Sequence, residues 1–171
     1  MVSVTKLISI LDKPALLGWA NKIGLQGIRL KDYQSKSKKG GNIRHKEVED
    51  YLNHGIEFKG FEKLKETLKS YKVLGSEVDV NNGFILGRID IVLEKNKKKY
   101  VCDLKSSKYI YISTKLQLSA YKHLLKADYI CFINTEDLEL KIIDIDTSKY
   151  FEIIKRLYQI HKLITSLNEK L

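Results

Sequence analysis

The sequence predicts a mixed α/β domain: one central mixed β-sheet flanked by helices. Three observations predict it. Between residues 72 and 105 three runs rich in β-branched and aromatic residues are separated by two short polar turns, Asn81-Asn82-Gly83 and Asn96-Lys97. Helical periodicity surrounds them at 43–53, 57–70, 113–126 and 148–169. A second pair of strand-like runs, 128–134 and 139–146, follows the helix at 113–126, giving the order αβββαββα. With 171 residues, 43% of them hydrophobic, the chain suits a single domain spanning 1–171, its N-terminal helical and basic-loop region covering about 1–46.

Taken in order, residues 3–11 open with serine and threonine. Asp12 then stands as N-cap of a helix with Pro14 in its first turn, running through LLGWANKIG. Residues 34–46, QSKSKKGGNIRHK, are rich in Gly, Ser and Lys and nearly devoid of apolar side chains, which predicts a loop. That loop is either a solvated linker or a basic segment that contacts a nucleic-acid strand. The helix at 43–53 carries His45, and 57–70 is amphipathic. The three strands are expected near 72–80, 83–94 and 98–105, with Ser113 or Thr114 capping the next helix, on which Leu116, Ala120 and Leu124 form an apolar stripe.

Composition narrows the function classes. A net charge of +10 and a pI near 9.4 favour a polyanionic partner. The two cysteines, Cys102 and Cys131, lie in apolar strand-like runs and read as buried core residues; two thiolates cannot complete a four-thiolate iron–sulfur or zinc site. No signal peptide and no apolar run of membrane-spanning length is evident, so a soluble chain in the reducing cytoplasm is expected. No G-x-x-x-x-G-K-[ST] motif is present, and the C-terminal helix mixes acids and bases too evenly for a cationic membrane-surface helix.

The chemistry concentrates on Gly87-Arg88-Ile89-Asp90 and Asp103-Leu104-Lys105. A two-residue turn at Asn96-Lys97 sets residue 95 opposite 98 and, stepping outward, Asp90 opposite Asp103, with Cβ atoms roughly 5 Å apart. Two carboxylates so placed repel by about 3 kcal/mol at an effective dielectric of about 20, a poor choice for a purely structural pair. A divalent cation between them reverses the sign, and magnesium and manganese prefer oxygen ligands. Lys105, two residues beyond Asp103, returns to the same face. Two carboxylates and an ammonium suit stabilising charge on a phosphate during hydrolysis.

Other residues fall where they extend this cluster. Neutral imidazole is a common ligand, so His45 can join the carboxylates; His54, His123 and His161 read as ordinary surface or partly buried residues. Gln117 and Tyr121, four apart, share a helix face. By strand alternation Glu77 and Asp79 fall on the face of Asp90, which makes Glu77 a further candidate ligand.

These motifs resemble the PD-(D/E)XK nuclease superfamily and, within it, the RecB-like exonuclease branch. That branch is marked by G-x-x-D, D-x-K and Q-x-x-x-Y in this order, here Gly87–Asp90, Asp103–Lys105 and Gln117–Tyr121. His45 in GGNIRHKEVEDYL resembles the upstream histidine motif, and SVTKLISILDKPALLGWANKIG resembles the start of phage and mitochondrial genome-maintenance exonucleases. The resemblance spans roughly 3–125 and implies a restriction-endonuclease-like core and a Mg²⁺- or Mn²⁺-dependent deoxyribonuclease acting from free DNA ends. His45, Asp90, Asp103 and the Leu104 backbone carbonyl would hold the metal, with Glu77 a softer addition. Lys105 would orient or deprotonate the attacking water or neutralise the phosphate, and Gln117 and Tyr121 would position the DNA end and support the site. Lys36, Lys38, Lys39, Arg44, Arg88, Lys108 and Lys115 would meet DNA, the basic segment 34–46 as part of an arch over a single strand. Partners would be single-stranded or duplex DNA ends together with replication or recombination proteins, in the cytoplasm of a bacterial host if the chain is phage-encoded. The alternatives are a structure-specific or restriction-type endonuclease on the same core and, from another class, a catalytically silent DNA-binding module.

Overall fold

A computed structural model describes residues 1–11, 14–107 and 109–168, without the side chains of 14–16 and 34–42. Its elements are β1 (Val2–Ser3), α1 (Val4–Ile8), α2 (Pro14–Leu25), α3 (Leu30–His54), α4 (Phe61–Leu68), β2 (Lys72–Asn81), β3 (Ile85–Lys95), β4 (Lys98–Lys105), α5 (Ile112–Leu125), β5 (Tyr129–Asn134), β6 (Leu140–Ile142) and α6 (Thr147–Asn168). The six strands form one mixed sheet with helices packed on both faces.

The β3–β4 hairpin sets the register of the whole sheet. Asn96 and Lys97 both take left-handed backbone, φ 52° and 60°, the signature of the two-residue turn whose twist matches paired strands. The ladder runs from Lys95 opposite Lys98 to Ile91 opposite Cys102, the expected pairing. At the β2–β3 turn the Asn82 side chain accepts the N–H groups of Phe84 and Ile85, and Gly83 supplies φ 86°. β4 and β5 run parallel, which requires a crossover, and α5 provides it.

Two cores form, one on each face. Leu116, Leu118 and Ala120 of α5 pack with α1, α6, Ile85, Ile89 and Val101, while Leu124 lies partly buried at their edge. On the other face Val48 of α3 and Leu64 of α4, both fully buried, meet Ile91, Leu93, Tyr100, Leu104 and Ile133. Burying side chains of this size contributes about 1.5–3 kcal/mol each, so Val48 is what fixes the C-terminal half of α3 beside the hairpin. Cys102 and Cys131 are free and buried there. Among the described residues no helix is long and apolar enough to cross a membrane.

Three expectations are corrected. The predicted loop at 34–46 is helical backbone inside α3. Gly40-Gly41 costs a helix about 1 kcal/mol per glycine relative to alanine, but the lysines around it are good helix formers. Both ends are anchored, by the Trp19–Tyr33 edge contact to α2 and by Val48, Tyr51 and Leu52, and propagating a helix costs less than nucleating a second one. α3 then stops at Gly55, φ 68°, whose N–H bonds the Tyr51 carbonyl. Second, α5 begins at Ile112 after Tyr111, with no side-chain cap from Ser113 or Thr114. Third, β6 is three residues long, well short of 139–146. The Asp12 cap lies outside the described residues.

Candidate functional site

The sheet forks where the motif residues lie. Leu86 of β3 pairs with Asn81 of β2 and with Ser3 of β1, so β1 must occupy the β3 edge that β4 uses further along. On that edge the β4 ladder ends at Ile91, leaving Gly87–Asp90 between the two partners. β4 meanwhile stays with β5, Asp103 beside Phe132 and Lys105 beside Asn134. Asp90 repairs the opening: its Oδ2 accepts the Leu104 N–H at 2.7 Å.

β2 and β3 are also creased here. Ile85 and Ile89 belong to the α5–α6 core, whereas Ile91 and Leu93 belong to the α3–α4 core, so regular alternation breaks between Ile89 and Ile91. Opposite Asp90, between the Ser76–Ile91 and Val78–Ile89 pairs, Glu77 takes a left-handed φ of 50°. Alternation is interrupted here, yet Glu77 still lies opposite Asp90 and acts on it. Its charged neighbours include Glu49 and Lys46 of α3, Arg88 and Asp79, with Arg88 Nη1 3.8 Å away. Burial first, then Glu49, raises its carboxyl above the usual range, and it adds only a small push to Asp90.

Asp103 is the most buried charge of the group, 3% exposed. Lys105 Nζ lies 2.7 Å from Asp103 Oδ2, an ion pair at hydrogen-bond distance that holds the buried carboxylate. Burial raises the Asp103 carboxyl, with Lys105 the main opposing influence. Burial and the Asp103 charge push Asp90 up to about 7, against the Leu104 N–H and Lys105. The Asp103 charge thus makes Asp90 harder to ionise, while a hydrogen bond from Asp90 favours the ionised form of Asp103.

His45, expected at a helix start, sits instead in the middle of α3, its Nδ1 3.8 Å from Asp90 Oδ2. Burial lowers its pKa and Lys105 acts in the same sense, while Asp103 and the Leu104 carbonyl oppose them. The balance favours the neutral ring, the form that ligates metals. The Leu104 peptide faces the cluster at both ends, N–H to Asp90 and carbonyl to His45.

Tyr121 explains the glycine of the motif. A Cβ on Gly87 would lie 2.2 Å from Tyr121 Cε1, so only glycine lets this ring lie on β3. Gln117 Nε2 donates to the Tyr121 hydroxyl at 3.3 Å, and the Arg88 N–H also approaches it. At 4% exposure Tyr121 braces α5 against β3 and is too enclosed to touch a DNA end itself.

The expected DNA-contacting cations fare differently. Arg44 is half-buried, paired with Glu47 at 2.7 Å, donating to the Lys59 carbonyl and lying 5.8 Å from the Phe58 ring, so it ties α3 to the following loop. Arg88 donates to Asp79 at 2.8 Å across β2–β3. Lys115 lines a surface recess with Tyr109 and Phe132. Lys108 and the side chains of Lys36, Lys38 and Lys39 lie outside the described residues. Two contributors were not anticipated. Glu49, one turn after His45, was detectable from its i+4 spacing. Buried Asn134 donates to the Ser107 carbonyl beside the Thr135 N–H bond to Lys105, fixing the end of β4, and had no sequence signal.

Among the described residues no three His, Cys, Asp or Glu side chains already converge as a cation cage. No protein-family model matches the chain, nor does any curated protein. Among solved structures the chain is similar to the crystal structure of SSO0001, with 19% identity, a TM-score of 0.48, and coverage of 92% of this chain and 75% of that one. A likeness at that level carries no argument about activity.

Proposed function

We propose that this chain is a metal-dependent nuclease with a restriction-endonuclease-like core, of the RecB-like branch of the PD-(D/E)XK superfamily, hydrolysing phosphodiester bonds from free DNA ends. The observation that carries the reading is the placement of Asp90 and Asp103 together at the β3–β4 fork, with Lys105 2.7 Å from one and His45 3.8 Å from the other.

The donor set fits Mg²⁺ or Mn²⁺. The chemistry of the donors carries the fit: two carboxylates, one of them 3% exposed, and a peptide carbonyl are the oxygen-rich group these cations prefer. Asp90, Asp103, the Leu104 carbonyl and His45 are the residues that would hold the ion; Glu77 turns toward Arg88 instead. Bound there, the cation would act as a Lewis acid and lower the pKa of water.

The chain's own residues do the remaining work. Lys105 brings an ammonium to the position where a phosphate gains charge, and Asp103 holds that ammonium in place. The Leu104 amide fixes Asp90, while Gly87, Tyr121 and Gln117 set α5 against β3, so the carboxylates keep their spacing. The excess of lysine supplies general affinity for a polyanion.

Incubation with closed circular and linear DNA in Mg²⁺ or Mn²⁺ tests the reading. Loss of linear DNA with circles intact is expected. Cleavage of closed circles contradicts the end requirement, and inertness toward both contradicts the enzymatic assignment.

A further inference from the structure

We propose that the chain carries a second nucleic-acid site behind α5, where a cavity between α5 and α6 takes a backbone phosphate of a single strand and a neighbouring base lies against Phe84 and Tyr158. At about 100° per residue, Ser119 and Lys122 lie about a third to half a turn around α5 from Gln117 and Tyr121, so this face points away from the carboxylate pair; Lys126 follows as the left-handed C-cap of the same helix. The site is independent of the hydrolytic reading, since it uses neither Asp90 nor Asp103.

Ser119, Lys122, Lys126 and the first residues of α6, Thr147 and Ser148, line a cavity of about 270 Å³. Two separate features point to an anion. α6 is a 22-residue helix, so its dipole favours negative charge at its start, where Asp146 already takes the Ser148 N–H. Ser119 is 1% exposed and its hydroxyl has no hydrogen-bond partner among the described residues, a donor a phosphate oxygen would satisfy. Acidic groups nearby are already engaged. Asp146 accepts the Ser148 N–H and hydroxyl with Lys149 Nζ 3.6 Å away, and Asp128, which faces Lys122, is held by Lys98 at 2.8 Å.

What lies next to this cavity identifies the anion as part of a nucleic acid. His123 stacks on Phe151 with centroids 3.7 Å apart, and the pair forms a wall shared with a second cavity of about 570 Å³. There Lys155 and Lys162 flank Tyr158 and Phe84, and Phe84 is 61% exposed. An aromatic left open to solvent between lysines, beside a phosphate-sized recess, is the combination by which single strands are held: stacking for the base, cations for the backbone. A bare phosphate pocket has no use for Phe84.

The test uses the full chain in EDTA, so hydrolysis plays no part and failure of this site is separable from failure of the nuclease assignment. In ¹⁵N–¹H spectra, oligothymidylate should shift the amides of Ser119, Lys122, Ser148, Phe84 and Tyr158. Inorganic phosphate should shift only the first three. By fluorescence anisotropy with labelled oligothymidylate, Lys122→Glu with Lys126→Glu should weaken binding about tenfold or more and reduce the salt slope by about 0.7, the value for one phosphate on a single strand. Phe84→Ala should weaken binding about fivefold or more with the slope unchanged. A charge-matched control on α4, Lys63→Glu with Lys65→Glu, should change the slope by less than half as much. Equal effects of the two double variants, unchanged affinity in Phe84→Ala, or shifts with phosphate but none with the oligonucleotide would each overturn the proposal.

Discussion

Replacing Asp90 by asparagine should stabilise the protein above neutral pH, the opposite of what removing a buried polar residue usually does. Burial and Asp103 raise the folded-state pKa of Asp90 from the ordinary 3.8 to about 7. The stability associated with its proton is fully present below the unfolded pKa and is lost as pH rises through the folded one, between about pH 4 and pH 7. At about 1.4 kcal/mol per pKa unit, the charged form is on the order of 4 kcal/mol less stable than the protonated form. The Coulomb term for two carboxylates about 5 Å apart, about 3 kcal/mol at an effective dielectric of about 20, gives the same order. Asparagine keeps an acceptor for the Leu104 N–H and removes the charge. Urea unfolding in EDTA should therefore show Asp90→Asn more stable than wild type by about 3 kcal/mol at pH 8. At pH 5 the advantage should shrink to under about 1 kcal/mol, because wild-type Asp90 is then largely protonated. Adding Mg²⁺ at pH 8 should raise the wild-type midpoint and leave the variant nearly unmoved. An advantage independent of pH, or a variant less stable at pH 8, would refute the account of this pair.

Gly87→Ala should cost about 1–3 kcal/mol, since its Cβ would sit 2.2 Å from Tyr121 Cε1. Adding Tyr121→Ala should give a double variant less destabilised than the sum of the singles, and additivity in a urea double-mutant cycle would count against the packing argument. Lys105→Met should lower single-turnover hydrolysis at least about a hundredfold while DNA affinity stays within about threefold; cleavage within fivefold of wild type would remove Lys105 from the reaction.

Much of the site was legible because a two-residue turn leaves no freedom. Once Asn96-Lys97 is the turn, the pairing of Ile91 with Cys102 follows by counting, and the structure has that register. One step further the ladder ends, and Asp90 meets the end of β4 through the Leu104 N–H instead of pairing with Asp103. Lys105 reaches Asp103 because alternation along β4 is unbroken. Counting also put Glu77 on the side of Asp90, which it lies opposite, but its left-handed backbone is an event no side-chain pattern announces. Segment 34–46 misled because Gly and Lys are equally at home in a solvated loop and on an exposed helix, and its anchors, Trp19, Tyr33 and Val48, lie apart from it in sequence or at its end. β1 is two residues long, below the length at which periodicity exists. The closeness of Tyr121 to Gly87 is a tertiary fact; the sequence held both residues but nothing to join them.

Asp103 is the residue on which the functional account depends most, and a digestion time course tests it most directly. End-labelled single- and double-stranded oligonucleotides are incubated with wild type and Asp103→Asn, with and without Mg²⁺ or Mn²⁺. The account predicts metal-dependent shortening by wild type, none by the variant, and DNA binding by the variant as tight as wild type or tighter. Cleavage by Asp103→Asn at the wild-type rate, or a wild type that cleaves equally well in EDTA, would contradict it.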